Sequence, residues 1–136
     1  RLQGVRRHAR VPDMTSPYWL YSAAILSFLV LMAHIFGGGR TIARPLLDSD
    51  LAEVPKYASY YCWHMVTIII LYMTISFTLS ASDLASTDLA WGSSILAILF
   101  AAWSFFLCLW KKQGLLKLPQ WIMFLPIAVT GVLGVI

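Results

Sequence analysis

The sequence predicts an all-α integral membrane protein: a four-helix transmembrane bundle with a short interfacial segment between its first and second helices. Three observations carry this. Four apolar stretches, about residues 17–36, 57–81, 89–110 and 119–136, each approach the ~20 residues a helix needs to cross a ~30 Å hydrocarbon core. Apolar residues make up 60% of the 136-residue chain, charged residues 12%, and the mean hydropathy is +0.75, whereas soluble domains carry about 25% charge. Lipid offers no partner to backbone N–H and C=O groups, so each span must satisfy its own, as a helix does. Strands of a barrel would be shorter and would alternate polar with apolar residues.

Connections of about 20, 7 and 8 residues leave no room for a module outside the membrane. Residues 17–136 therefore read as one domain with antiparallel neighbours, and residues 1–16 as an N-terminal extension. The chain opens on Arg1 and Met14 stands just before the first span, so Met14 could be the start, with the residues before it not native. The first apolar run is too long for a signal peptide, and Gly37-Gly38-Gly39-Arg40 is not a small-x-small cleavage site.

In the first span Ala23, Ser27 and His34 share a helical face. The triglycine then reads as a helix stop. Gly37, Gly38 and Gly39 permit positive backbone torsions and an anion-binding nest, with Arg40 and Arg44 adding charge for a phosphate, a lipid headgroup or a cofactor carboxylate. The bland reading is a flexible stop flanked by positive-inside arginines. From Pro45 to Val54, Leu47, Leu51 and Val54 share a face, so this stretch reads as a short helix on the membrane surface. It is no nucleotide-binding loop, because the GxxxxGK[ST] pattern is missing.

The second span places His64 on one stripe with Tyr57, Tyr60, Tyr61, Thr67 and Leu71, which is expected to look into the bundle. In the third, Ser94, Ala97, Ala101, Ser104 and Cys108 recur at steps of three and four and should face inward, with Phe100, Trp103 and Phe106 facing lipid or a protein neighbour. In the fourth, Gly131 and Gly134 offer close approach, Pro119 suits a first turn and Pro126 should kink the helix. Cys62 and Cys108 read as small buried apolar residues rather than a disulfide.

Arg40, Arg44 and Lys56 in the first loop and Lys111, Lys112 and Lys117 in the third place those loops in the cytoplasm, giving N-out and C-out. Arg1, Arg6, Arg7 and Arg10 vote against this, unless Met14 is the start. Tyr18, Trp19, Tyr21 and Trp91 gather at the outer ends, and Tyr57, Tyr60, Tyr61, Trp110 and Trp121 at the inner ends, as headgroup-level anchors. The net charge of +4 borders the spans and matches anionic lipid, not nucleic acid.

Ionisable residues are expensive at membrane depth, which makes His34 and His64 the candidate site, with Tyr60, Arg40 and Arg44 beside them. Three readings stay open. The histidines could be axial ligands of a haem b, with the arginines near its propionates. Counting ~1.5 Å per residue puts His34 about 3 to 5 Å deep and His64 about 10 Å, an offset that fits one flat macrocycle poorly. His64, Tyr60 and Arg40 could instead line a pocket for a quinone or another lipid-soluble ligand. Or neutral histidines bridge helices through hydrogen bonds of about 1 kcal/mol each. No span contains Asp or Glu, and neither HExxH nor a third metal ligand is present, so no catalytic or metal site is expected.

The run Ala33-His34-x-x-Gly37-Gly38-x-Arg40, then Pro45-Leu46-Leu47, then Trp63-His64-Met65-Val66-Thr67 resembles small four-span hypothetical proteins of proteobacterial inner membranes. The resemblance implies the topology and marks these residues, without implying an activity. The function expected is that of a small accessory subunit partnering other membrane subunits and lipids, in electron transfer or quinone handling. The alternatives are a redox protein binding haem b or quinone at His34 and His64, and a small-solute channel of several copies lined by the Ser94 to Cys108 stripe.

Overall fold

Helical geometry runs through most of residues 16–136, the part of the chain that the computed structural model describes. Helix α1 (Ser16–Met32) continues without a break into a π-helical segment (Ala33–Ala43) and a last turn, α2 (Arg44–Leu47). Then follow α3 (Glu53–Ala81), α4 (Thr87–Trp110) and α5 (Gln120–Val135), and no strand occurs among the described residues. Three helical stretches, Pro17–Leu47, Glu53–Ala81 and Thr87–Trp110, are long and apolar enough to cross a membrane by length and composition, while α5 is a shorter apolar helix. The candidate start at Met14 and the arginines before it lie outside the described residues.

The first connection is the main departure from expectation. The triglycine does not stop the helix, and the surface helix expected from Pro45 to Val54 is not formed. Its first residues close the first long helix, its last ones open α3, and residues 48–52 alone join the two. The widened turns end just before Pro45. A proline in a regular α-helix lacks the N–H that would reach back four residues, and its ring meets that residue's carbonyl. Here Arg44 N–H instead reaches back five residues to the Gly39 carbonyl, and Thr41 Oγ1 donates to the Gly37 carbonyl at 3.1 Å. No glycine in the described chain has a positive φ, so the expected nest at Gly37, Gly38, Gly39 and Arg40 is absent.

Helix α1 packs between α3 and α5, α5 packs on α4, and α3 meets α4 along a narrower seam. The core holds Leu20, Ala23, Ser27, Ile70, Met73, Phe77, Ala97, Phe124 and Ile127. Small residues set its tightness. A Cβ at Gly131 would collide with Ser94 Oγ and the Phe77 ring, and one at Gly134 with Leu20. All five members of the Ser94 to Cys108 stripe are buried. They pack within the chain's own bundle, where Cys108 Sγ donates to the Leu118 carbonyl at 3.8 Å, and leave no free face to line a pore. Phe100 corrects the expectation that it faces lipid, since its ring packs on buried Phe124 with centroids 5.0 Å apart. Trp103 and Phe106 do face outward, at 59% and 51% exposure.

Both tight turns use one device. After α3, Asp83 (φ 54°) follows the C-cap, Leu84 N–H reaches the Leu79 carbonyl and Asp83 N–H that of Ser80. After α4, Lys112 (φ 50°) does the same, with Gln113 bonding Cys108 and Lys112 bonding Leu109. These paired bonds satisfy the last carbonyls of each helix. The short turn at residues 82–86 is closed further by Ser80 Oγ donating to the Ser86 carbonyl at 3.1 Å, and Tyr21 Oη lies 3.0 Å from Ser82 Oγ.

Candidate functional site

Every buried residue of α3 falls between Ile70 and Ala81. Its other half, from Glu53 to Ile69, extends past the core and leans on the π segment and α2. This end of the bundle carries the basic residues of both 48–52 and 111–119 flanks, and it is called the basic end below. A groove of about 470 Å³ opens there between the two helical stretches.

Trp63 joins the two sides. Its indole stacks on the His34 ring with centroids 3.8 Å apart and planes 15° from parallel. Its outer edge occupies the space where Gly38 lacks a side chain, since a Cβ there would overlap the ring. Its carbonyl takes two hydrogen bonds, from Thr67 Oγ1 at 3.1 Å and from His34 Nε2 at 3.3 Å. A carbonyl only accepts, so Nε2 of His34 carries the hydrogen. The contact also corrects the depth count, because it sets His34 level with Trp63, one residue from His64.

The groove brings together His64, Tyr60 and Arg44 of the residues expected from sequence, and it includes neither His34 nor Arg40. His34 is spoken for by Trp63, and Arg40 is exposed. The Tyr60 ring meets His64 edge-on, centroids 4.6 Å apart and planes 86°. Thr67 lies one turn further along α3, while Asp48 and Arg44 add one charge of each sign from the opposite wall. Ile35, Leu47 and Trp63 supply apolar surface. The tyrosine and histidine stripe thus borders a groove at one end of the bundle instead of looking into its core, and Tyr57, Tyr61 and Leu71 are exposed, at 59%, 64% and 46%.

The sequence reading missed Asp48 and Ile35, and it marked Trp63 without giving it a place in the site. Trp63 stood next to the singled-out His64, and the Gly38 gap opposite it was the only hint of its role. Chemically, the groove offers the donors of a phenol hydroxyl, an imidazole and a guanidinium together with the Asp48 carboxylate and the Thr67 hydroxyl, so it can meet oxygen acceptors on the Tyr60, His64 and Arg44 side. It offers no activated nucleophile. Comparison with protein-family models, curated proteins and solved structures finds no match for this chain.

Proposed function

We propose that the chain is a four-span accessory subunit of a bacterial inner-membrane complex whose groove holds a lipid-soluble ligand with carbonyl oxygens, of the quinone class. The observation that carries this is the convergence of Tyr60, His64 and Arg44 on one groove whose remaining walls include Ile35, Leu47 and Trp63. Polar hydrogen-bonding groups set sparsely in apolar walls are the usual make-up of a site that orients a small ligand. The continuous helix from Pro17 to Leu47 spans roughly 40 Å, more than the ~30 Å of hydrocarbon. Its groove-lining part, from Ile35 to Asp48, then falls where hydrocarbon gives way to headgroups. The basic end faces the cytoplasm in this reading. The protein binds and positions the ligand for a neighbouring subunit and carries no catalytic step.

The test is equilibrium binding of a benzoquinone bearing a decyl tail to the detergent-purified protein, followed by tryptophan quenching. Tyr60→Phe and His64→Leu should each weaken binding about fivefold, the loss of one hydrogen bond of about 1 kcal/mol. His64→Gln should keep most of the affinity. Equal affinity in the Tyr60→Phe, His64→Leu double variant would refute the reading. A reduced-minus-oxidised spectrum on the same sample checks the haem alternative, which would need Nε2 of His34 to leave the Trp63 carbonyl.

A further inference from the structure

A second groove, unrelated to the first, runs between α4 and α5. It is floored by Ala101, Ala102 and Ala128 and walled by Phe105, Trp121 and Leu125, with a volume of about 360 Å³. Along α4 it extends from Ile98 to Phe105, seven residue steps or about 10 Å. Its lining is almost wholly carbon, so no polar ligand group can be held inside it.

Charge identifies what fits. The groove's upper end opens beneath the connection between α4 and α5, because those two helices form its walls. That connection holds Lys111, Lys112 and Lys117, all exposed. Residues 89–136 contain no Asp or Glu to balance them. The other connection at this end is different: Asp48, Asp50 and Glu53 offset Arg40, Arg44 and Lys56. The Lys111 ammonium rests over the Trp110 ring, 4.2 Å from its centroid, and the Trp121 indole N–H donates to the Leu115 carbonyl at 3.0 Å. On the membrane placement proposed above, both indoles stand where headgroups lie, with the lysines at that level and the groove, which Trp121 also walls, running from it towards the hydrocarbon.

We propose that the α4–α5 groove binds one acyl chain of an anionic phospholipid whose phosphate is held by Lys111 and Lys117. Basic pockets between membrane helices are a recurring way of holding acidic headgroups, each lysine near the surface strengthening binding about fivefold. A zwitterionic lipid would gain the chain contact without the charge.

Native mass spectrometry of the full chain, with dioleoyl phosphatidylglycerol or dioleoyl phosphatidylcholine added to the detergent, tests this. Phosphatidylglycerol should be retained in preference. Lys117→Ser should lower its retention about fivefold and the Lys111→Ser, Lys117→Ser double variant about 30-fold, while Lys56→Ser leaves it unchanged. Lys111 and Lys117 are exposed and Lys56 is half-exposed; of the three, Lys111 also gives up its contact with the Trp110 ring when replaced. Ala102→Phe fills the groove and should lower retention of both lipids. Labelling by phosphatidylglycerol with a photoreactive chain should map to residues 98–105 and 121–128. Equal retention of the two lipids, an equal effect of Lys56→Ser, or labelling elsewhere would overturn the proposal. So would a dimer in solution that Ala102→Phe dissociates, since a second copy would then cover the groove.

Discussion

Gly131→Ala adds one methyl group at the place where α5 packs on α4 and the Phe77 ring of α3 reaches in. The new Cβ would overlap Ser94 Oγ and would lie 2.9 and 3.0 Å from two atoms of the Phe77 ring. Ser94 cannot turn aside freely, because its hydroxyl donates to the Ala90 carbonyl at 2.7 Å. Breaking that bond costs about 0.6 kcal/mol in a membrane bundle. Phe77 is fully buried, so its displacement is overpacking, about 1–3 kcal/mol. Replacing glycine in a helix interior returns at most about 1 kcal/mol. The net expectation is a loss of about 1–2.5 kcal/mol, read by SDS titration of the protein in mixed micelles with tryptophan emission as the signal. Gly92→Ala is the control, since nothing lies within 4 Å of a Cβ there, and it should be neutral or stabilising. In a Ser94→Ala background the cost of Gly131→Ala should fall by the hydroxyl's share and keep the Phe77 share, a coupling that a double-mutant cycle measures. Gly131→Ala as stable as the parent, or additive with Ser94→Ala, would refute the crossing as described.

The triglycine supplies an internal contrast: Gly38→Ala should destabilise by about 1–3 kcal/mol because Trp63 fills that space, whereas Gly37→Ala and Gly39→Ala meet nothing within 4 Å, and thermal unfolding of the three variants separates them. Lys112→Gly and Asp83→Gly relieve left-handed residues at the ends of α4 and α3 and should each stabilise by up to about 1 kcal/mol in the same titration. Either variant losing stability would count against the turn geometry. The Ser27 and Ser93 hydroxyls are buried and make no hydrogen bond among the described residues, so Ser27→Ala and Ser93→Ala should be neutral to about 1 kcal/mol stabilising. A loss above about 1 kcal/mol would show that each hydroxyl has a partner.

Regular helices were legible and irregular ones were not. The Ser94, Ala97, Ala101, Ser104 and Cys108 stripe could be assigned to the core because α4 is an uninterrupted α-helix, in which steps of three and four keep one face. Gly131 and Gly134 pointed to close crossings for the same reason, and both are buried at one. Phe100 was misplaced because size alone does not decide between lipid and core when both are apolar. In a membrane protein the hydrophobic signal that separates inside from outside is weak. The first connection was misread because three glycines and Pro45 look like a stop. Widened turns let the chain continue through both.

The same irregularity explains why the site was half legible. On α3, regular turns carry Tyr60, Trp63, His64 and Thr67 along one face, so that Tyr60 and His64 share a face could be read from their spacing. Across the groove the face is made by Ile35, Gly39, Ala43 and Arg44. At the α-helical 100° per residue, the nine steps from Ile35 to Arg44 would end about 180° away, on the opposite side of the helix. With bonds reaching back five residues, at about 4.4 residues per turn, nine steps end within about 20° of the start. The widened segment is therefore what turns Arg44 towards His64. Gly39 and Arg44, which read as loop residues in the sequence, thereby form part of the groove's second wall. A wide turn of this kind holds its geometry only while its neighbours support it, and the support here is Trp63, wedged between His34 and Gly38. On this logic Trp63 shapes the groove mainly by keeping two helices in register, and the charge opposite His64 depends on Gly38, a glycine that does not line the groove.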